Sequence, residues 1–134
     1  MVRTRLLALL LIPIAFALMG SAMLVDPPPI PVPAKLTAKD VSKAIRAAIV
    51  LRGWVAAKDE NGVIDAILDV RTHEVKVAIK YDPKQVEIKY VDSKNLDYDE
   101  KGGTRHIHKK YNQWIGNMVG DIQRALQAEV ISHE

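Results

Sequence analysis

Cysteine is absent from this chain of 134 residues, which excludes disulfide bonds, thiolate metal sites and cysteine nucleophiles. A strong excess of one charge is also missing. Arg3 and Arg5 supply two of the 19 basic side chains and lie in an N-terminal leader, so the remainder carries 17 basic side chains against 16 acidic ones. Duplex binding relies on a surplus of cations that neutralise phosphates, so the composition predicts no nucleic-acid partner. The sequence likewise indicates no cofactor.

The first 22 residues have the pattern of an export signal. Arg3 and Arg5 precede an uncharged, almost wholly apolar run, and small residues at Gly20 and Ala22 fit cleavage by signal peptidase after Ala22. The uncharged run continues to Val25, which is just long enough for an uncleaved anchor, since a spanning helix needs about 20 residues. We therefore expect an exported protein that is either periplasmic or attached to the inner membrane by this segment and facing the periplasm.

Residues 23–36 form a proline-rich linker in this interpretation. Five of the seven prolines lie between Pro27 and Pro33. Proline fixes its own φ and disfavours helix in the residue before it, so the segment predicts an extended, semi-rigid spacer.

Residues 37–134 predict a single α+β domain. Thr37 and Asp40 form a capping box before a helix that ends at Gly53, and a second amphipathic helix begins near His108. Between the helices, the apolar period of two predicts strands at 54–59, 63–70, 75–81 and 86–91. The expected fold is a helix, a four-stranded antiparallel meander and a helix, with both helices on one face of the sheet.

Charge pairing suggests a register for this meander. Pairing Val70 with Val75 and Tyr81 with Val86 gives the sheet one apolar face. On the other face the same register sets opposite charges across from each other: Asp69 with Lys76, Asp65 with Lys80, and Lys80 with Glu87.

Two features indicate either packing within the chain or contact with another protein. In the expected register, Trp54 and Ile67 fall on the outer, charged face of the sheet, where they form a candidate partner surface or are covered by the linker or the leader. Gly116 and Gly120 lie four residues apart in the second helix, where small residues permit close approach of backbones. They predict packing against the alanines of the first helix or, alternatively, a homodimer contact.

The stretch from 104 to 110 concentrates basic and imidazole groups at Arg105, His106, His108, Lys109 and Lys110. His106 and His108 share a face in an extended segment and could chelate a metal, but the flanking cations oppose this. A catalytic histidine requires a nucleophile and an orienting partner, and the sequence shows no such motif. Lysines at a helix start oppose the helix dipole, which favours a role in binding an anion such as a lipid phosphate. The remaining interpretation is a solvent-facing helix start.

Two segments, "YDPKQVEIKYVDSKNLDY" and "IHKKYNQWIGNMVGDI", resemble a family of small exported bacterial proteins, many of them lipoproteins. Ser21 stands where lipoprotein members have the lipid-bearing cysteine, so lipidation is excluded here. The resemblance implies an envelope location and an α+β domain, and it carries no catalytic residue. The resemblance also implies a candidate polar cluster that joins the last strand to the second helix, formed by Ser93, Asn95, His108 and Asn112. Tyr81 and Tyr90 lie beside it, and Arg71 and His73 are further candidate members.

These observations predict a non-catalytic binding or interaction module of the cell envelope, with an envelope component or anionic lipid as partner. The alternatives are a small histidine- or metal-dependent enzyme centred on His73 and His108, and a purely structural homodimer.

Overall fold

The computed structural model describes residues 20–134, so the predicted leader lies outside the described residues except for its last three positions. The described part contains two helices and eight strands, which confirms the α+β class. In chain order they are β1 (Ser21–Met23), β2 (Ile30–Pro31), α1 (Ala38–Val50), β3 (Val55–Glu60), β4 (Val63–Val70), β5 (His73–Tyr81), β6 (Gln85–Lys94), β7 (Asp99–Lys101), β8 (Thr104–His108) and α2 (Lys109–Ser132).

The strands form two antiparallel sheets instead of the single four-stranded sheet that was expected. The larger sheet has five strands in the order β2-β6-β5-β4-β3, and the smaller has three in the order β1-β8-β7. The four predicted strands follow one another in the larger sheet. The extra strands are β1 and β2, from the end of the leader and the proline-rich segment, and β7 and β8, from the acidic segment after β6 and the basic stretch at 104–108.

The register between β4 and β5 differs from the expected one by two residues. Val70 pairs with His73, because Arg71 adopts a left-handed conformation (φ 57°) and lets the chain reverse in a two-residue turn. A shift of two keeps every side chain on its predicted face, but Asp69 now faces Glu74 and no longer Lys76. The register between β5 and β6 is confirmed, with Tyr81 paired to Val86 and Lys80 paired to Glu87.

The prediction that Trp54 lies on the outer face is wrong. A β-bulge in β3 skips Ala57, so that Ala56 pairs with Ala66 and Lys58 pairs with Asp65. The extra residue reverses the alternation before it, and Trp54 turns inward, where it is only 4% exposed. Ile67 stays on the outer face and is half-buried, so it does not form a surface patch with Trp54.

Both helices and the strands contribute side chains to one buried core. α1 begins with the predicted capping box of Thr37 and Asp40, and it packs along α2. The predicted packing of Gly116 and Gly120 against α1 is not formed: a Cβ added at Gly116 would have nothing within 4 Å, and one at Gly120 would meet only the guanidinium of Arg124. Alanines line the groove between the helices instead, namely Ala44, Ala47, Ala125 and Ala128.

The proline-rich segment is part of the folded unit and does not stand off as a spacer. Leu24, Ile30 and Leu36 are buried in the core. Proline is tolerated in β2 because that strand lies at a sheet edge, where only one side of its backbone is paired. The apolar residues interspersed with the prolines therefore hold the segment on the domain.

Candidate functional site

The basic stretch forms β8, the central strand of the smaller sheet, followed by the first turn of α2. Arg105 lies 3.5 Å from the carboxylate of Asp26, with both side chains about 30% exposed. His108 caps α2, since its Nδ1 accepts a hydrogen bond of 3.1 Å from the backbone N–H of Lys110. Lys109 and Lys110 are exposed and form no ion pair within residues 20–134.

Part of the predicted polar cluster assembles around His73. The Nδ1 atom of His73 lies 2.5 Å from the carbonyl oxygen of Asn95, whose amide donates to the hydroxyl of Thr72. The imidazole centroid of His73 is 6.3 Å from that of His108 and 6.3 Å from the ring of Trp114. His73, Asn95 and His108 are therefore neighbours, as expected.

The other predicted members form different contacts. Arg71 is exposed in the turn between β4 and β5, and the amide of Asn112 donates to the carbonyl of Met23. The hydroxyl of Ser93 lies 2.6 Å from that of Tyr90. Tyr81 is remote from them, because its hydroxyl donates to Asp59 over 2.7 Å. His106 belongs to no group of three potential metal ligands in the described part of the chain.

An open cleft of about 640 Å³ lies between the end of β6 and the β7–β8 hairpin. Its wall is a stack of aromatic rings. The rings of Tyr90 and Tyr98 are nearly parallel (12°) with centroids 4.7 Å apart, and Tyr111 meets Tyr90 edge-on at 5.7 Å. Tyr98 remains 38% exposed, which leaves part of its surface available to a ligand. The cleft is lined by Tyr90, Val91, Asp92, Ser93, Asn95, Leu96, Asp97, Tyr98, Glu100 and Arg105.

The backbone after β6 builds this cleft. Asn95 and Asp97 both have positive φ (57° and 53°), a conformation that asparagine and aspartate tolerate better than most residues. Leu96, between them, is buried, and its carbonyl accepts a 2.8 Å hydrogen bond from the backbone N–H of His108. Because this anchor fixes the turn to β8, the following hairpin holds Tyr98 against Tyr90.

Three of the four charged side chains that line the cleft are acidic. Asp92, Asp97 and Glu100 form no ion pair with any cation in residues 20–134, and the charge of Arg105 is already offset by Asp26. The hydroxyl of Tyr98 donates to Glu100 over 3.3 Å. The sequence patterns singled out the positive charge of this region, whereas the folded chain presents its acidic side chains in the concave site.

Burial also raises the pKa of the tyrosines in and behind the cleft. Desolvation is the main cause that raises the pKa of Tyr90, Tyr98 and Tyr111, so all three remain neutral at physiological pH. The hydroxyl of Tyr111 is buried and has no hydrogen-bond partner among the described residues. No serine, threonine or tyrosine hydroxyl in that part is hydrogen-bonded to a histidine ring. The arrangement offers stacking, charge and hydrogen bonding to a bound group.

The sequence patterns did not single out Asp97, Tyr98 and Glu100, which lie between the last predicted strand (86–91) and the predicted second helix. The available signal was the Gly102-Gly103 pair, which is typical of a hairpin turn and here has positive φ at both residues. A hairpin at this position would have brought the acidic segment back along β8.

No protein-family model, curated protein or solved structure matches this chain. Among residues 20–134, neither helix is long and apolar enough to cross a membrane. The resemblance to exported bacterial proteins therefore stays a prediction.

Proposed function

We propose that this protein is a non-catalytic binding module of the cell envelope, exported by its N-terminal segment, and that the cleft beside Tyr98 receives the ligand. The observation that carries the proposal is the exposed tyrosine ring, backed by a second ring, among three carboxylates without cationic partners. The export pattern of the leader supports the location.

The chemistry of the cleft favours a positively charged group, such as the ammonium of a lysine side chain or of an amine-bearing envelope component. A cation over an aromatic ring gains about 0.5–1 kcal/mol at an exposed site. Asp92, Asp97 and Glu100 add attraction of the same sign, because each lines the cleft and forms no ion pair. A neutral or anionic group would gain neither the cation–π interaction nor the attraction to the carboxylates.

The test is titration of the full chain, followed by calorimetry or NMR, with a lysine-containing tripeptide whose N-terminus is acetylated and whose C-terminus is amidated; its Nε-acetylated form is the control that lacks the side-chain charge. We expect the tripeptide to bind and the acetylated form to bind at least several-fold more weakly. Tyr98→Ala should weaken binding, whereas Tyr98→Phe, which keeps the ring, should retain most of it.

A matched pair of acidic variants separates a local from a general effect of charge. Asp97→Asn should lower the affinity, because this residue lines the cleft, and asparagine tolerates its positive φ. Asp69→Asn removes the same charge from an exposed position in β4 and should leave the affinity unchanged. Equal affinity for the two peptides, or equal effects of the two variants, would refute the proposal.

A second candidate partner is an anionic lipid surface that contacts Lys109 and Lys110. It is favoured by one observation, namely that both lysines are exposed at the start of α2 and form no ion pair within the described residues. The experiment is co-sedimentation of residues 20–134 with vesicles containing anionic lipid. Lys109→Ala with Lys110→Ala should reduce retention, and a double alanine variant at the exposed Lys39 and Lys84 is the control. Equal retention of both variants would exclude this candidate.

A further inference from the structure

Three potential metal-ligating side chains meet where the start of α1 lies beside the end of α2. Asp40 belongs to the first turn of α1, and Glu129 and His133 lie four residues apart at the end of α2. Residues at that spacing lie on the same side of a helix. One oxygen or nitrogen from each of the three side chains lies within 4.8 Å of the others, and Asp40 Oδ1 is 3.1 Å from His133 Nε2.

The carboxylate of Glu129 is unusual because it is buried without a buried counter-charge. Its side chain is only 7% exposed, while its cationic partner, Lys43 at 3.3 Å, is 72% exposed. The hydroxyl of Ser132 contributes one further hydrogen bond of 3.3 Å. Burial of a charge is costly unless it is closely compensated, and a lysine that lies mostly in water compensates it only in part. A divalent cation would compensate it more fully.

We propose that Asp40, Glu129 and His133 form a binding site for Zn²⁺ or a similar divalent cation, independent of the cleft. Two carboxylates and one imidazole are an established donor set for zinc, with bonds of about 2.0–2.2 Å. Donors around a tetrahedral ion at that bond length are about 3.4 Å apart. The Asp40–His133 separation is close to this value, and only Glu129 must approach the ion.

The position of the site determines how an ion can enter it and what the bound ion does to the fold. His133 is 54% exposed, so an ion can reach the site from solvent and the ring can adjust. Lys43 is exposed enough to leave Glu129 when the ion binds. The bound ion links the first turn of α1 to the last turn of α2, so its effect is to fasten the two helices together.

The test uses the full chain, freed of metal with a chelator and then titrated with Zn²⁺ alone. A ligand that binds only the folded state stabilises it, so we expect one equivalent to bind and the melting temperature to rise by roughly 10 °C at 100 times the dissociation constant. Glu129→Gln and His133→Ala should each abolish most of the shift. His106→Ala, in β8 and outside the group, should retain it.

Lys43→Ala gives a test of opposite sign. This variant removes the ammonium that competes for Glu129, so it should bind Zn²⁺ more tightly than the natural chain. A melting temperature that does not respond to Zn²⁺, or a shift that survives in both Glu129→Gln and His133→Ala, would overturn the proposal.

Discussion

Cleavage after Ala22, the position that the leader pattern suggests, would remove part of the folded domain. Ser21 and Ala22 are the first two of the three residues in β1, where they pair with His108 and Ile107. The carbonyl of Gly20 also accepts a hydrogen bond of 3.1 Å from the backbone N–H of Lys109, which lies in the first turn of α2 and has no partner within its own helix. We therefore expect a chain that begins at Met23 to be less stable than one that begins at Gly20.

The size of the loss follows from the backbone contacts. In an antiparallel pair, every second residue pair exchanges two hydrogen bonds. Removal of residues 20–22 thus deletes about three hydrogen bonds, including that of Gly20. At about 0.5–1.5 kcal/mol each, the free energy of unfolding should fall by about 2–4 kcal/mol. Leu24 remains and still donates to the carbonyl of Arg105 over 2.8 Å, so the rest of the segment stays docked.

Urea unfolding, followed by tryptophan fluorescence, measures this difference directly in chains that begin at Gly20 and at Met23. Ser21→Ala in the longer chain is the control: it should have no effect, since the structure shows only backbone pairing at this exposed residue. Coinciding midpoints for the two chains would show that β1 contributes nothing and would refute the reasoning. A large difference would favour a native chain that keeps residues 20–22, either by cleavage further upstream or by retention of the leader as an anchor.

Two further variants test the fold. Trp54→Ala should lower the free energy of unfolding by about 3–5 kcal/mol in thermal or urea melts, because the ring is buried in the core; an effect below 1 kcal/mol would contradict the bulge that turns it inward. Asp121→Asn should cost about 1 kcal/mol at neutral pH, since its carboxylate binds Arg52 at 2.6 Å. The guanidinium of Arg52 is the main cause that lowers the pKa of Asp121 below 3.8. The stability that this ion pair contributes is therefore present above that pH and is lost as the pH falls through the lowered pKa. Acid melts between pH 5 and 2 should therefore show a smaller loss of stability for the variant than for the natural chain, and parallel curves would contradict this.

The features that the sequence predicted correctly are those with local causes. The capping box at Thr37 and Asp40 places the start of α1, and the "DPKQ" turn places the register between β5 and β6. Each depends on residues close together in the chain, where propensity and hydrogen bonding act without help from tertiary contacts.

The predictions that were wrong concern features that depend on single irregularities of the backbone. The bulge at Ala57 lies in a run of alanine and lysine that carries no local signal, yet it reverses the side of the sheet on which Trp54 lies. The two-residue turn after Val70 requires Arg71 to take a left-handed φ. Arginine rarely adopts this conformation, and here the pairing of β4 with β5 stabilises it. Alternation alone cannot reveal either event, because both are selected by the packing of the completed core.

The candidate cleft could not be predicted for a related reason: its charge is set by a residue far away in sequence. Asp26 lies in the segment taken for a spacer, yet its carboxylate accepts from the backbone N–H of Tyr90 at 3.0 Å and lies 3.5 Å from Arg105. The docked N-terminal segment therefore does two things for the cleft. It holds the strand that carries Tyr90, and it offsets the positive charge of Arg105, which leaves Glu100 and its acidic neighbours unpaired. A segment that the sequence indicates as a spacer thus contacts two residues that line the candidate cleft, Tyr90 and Arg105.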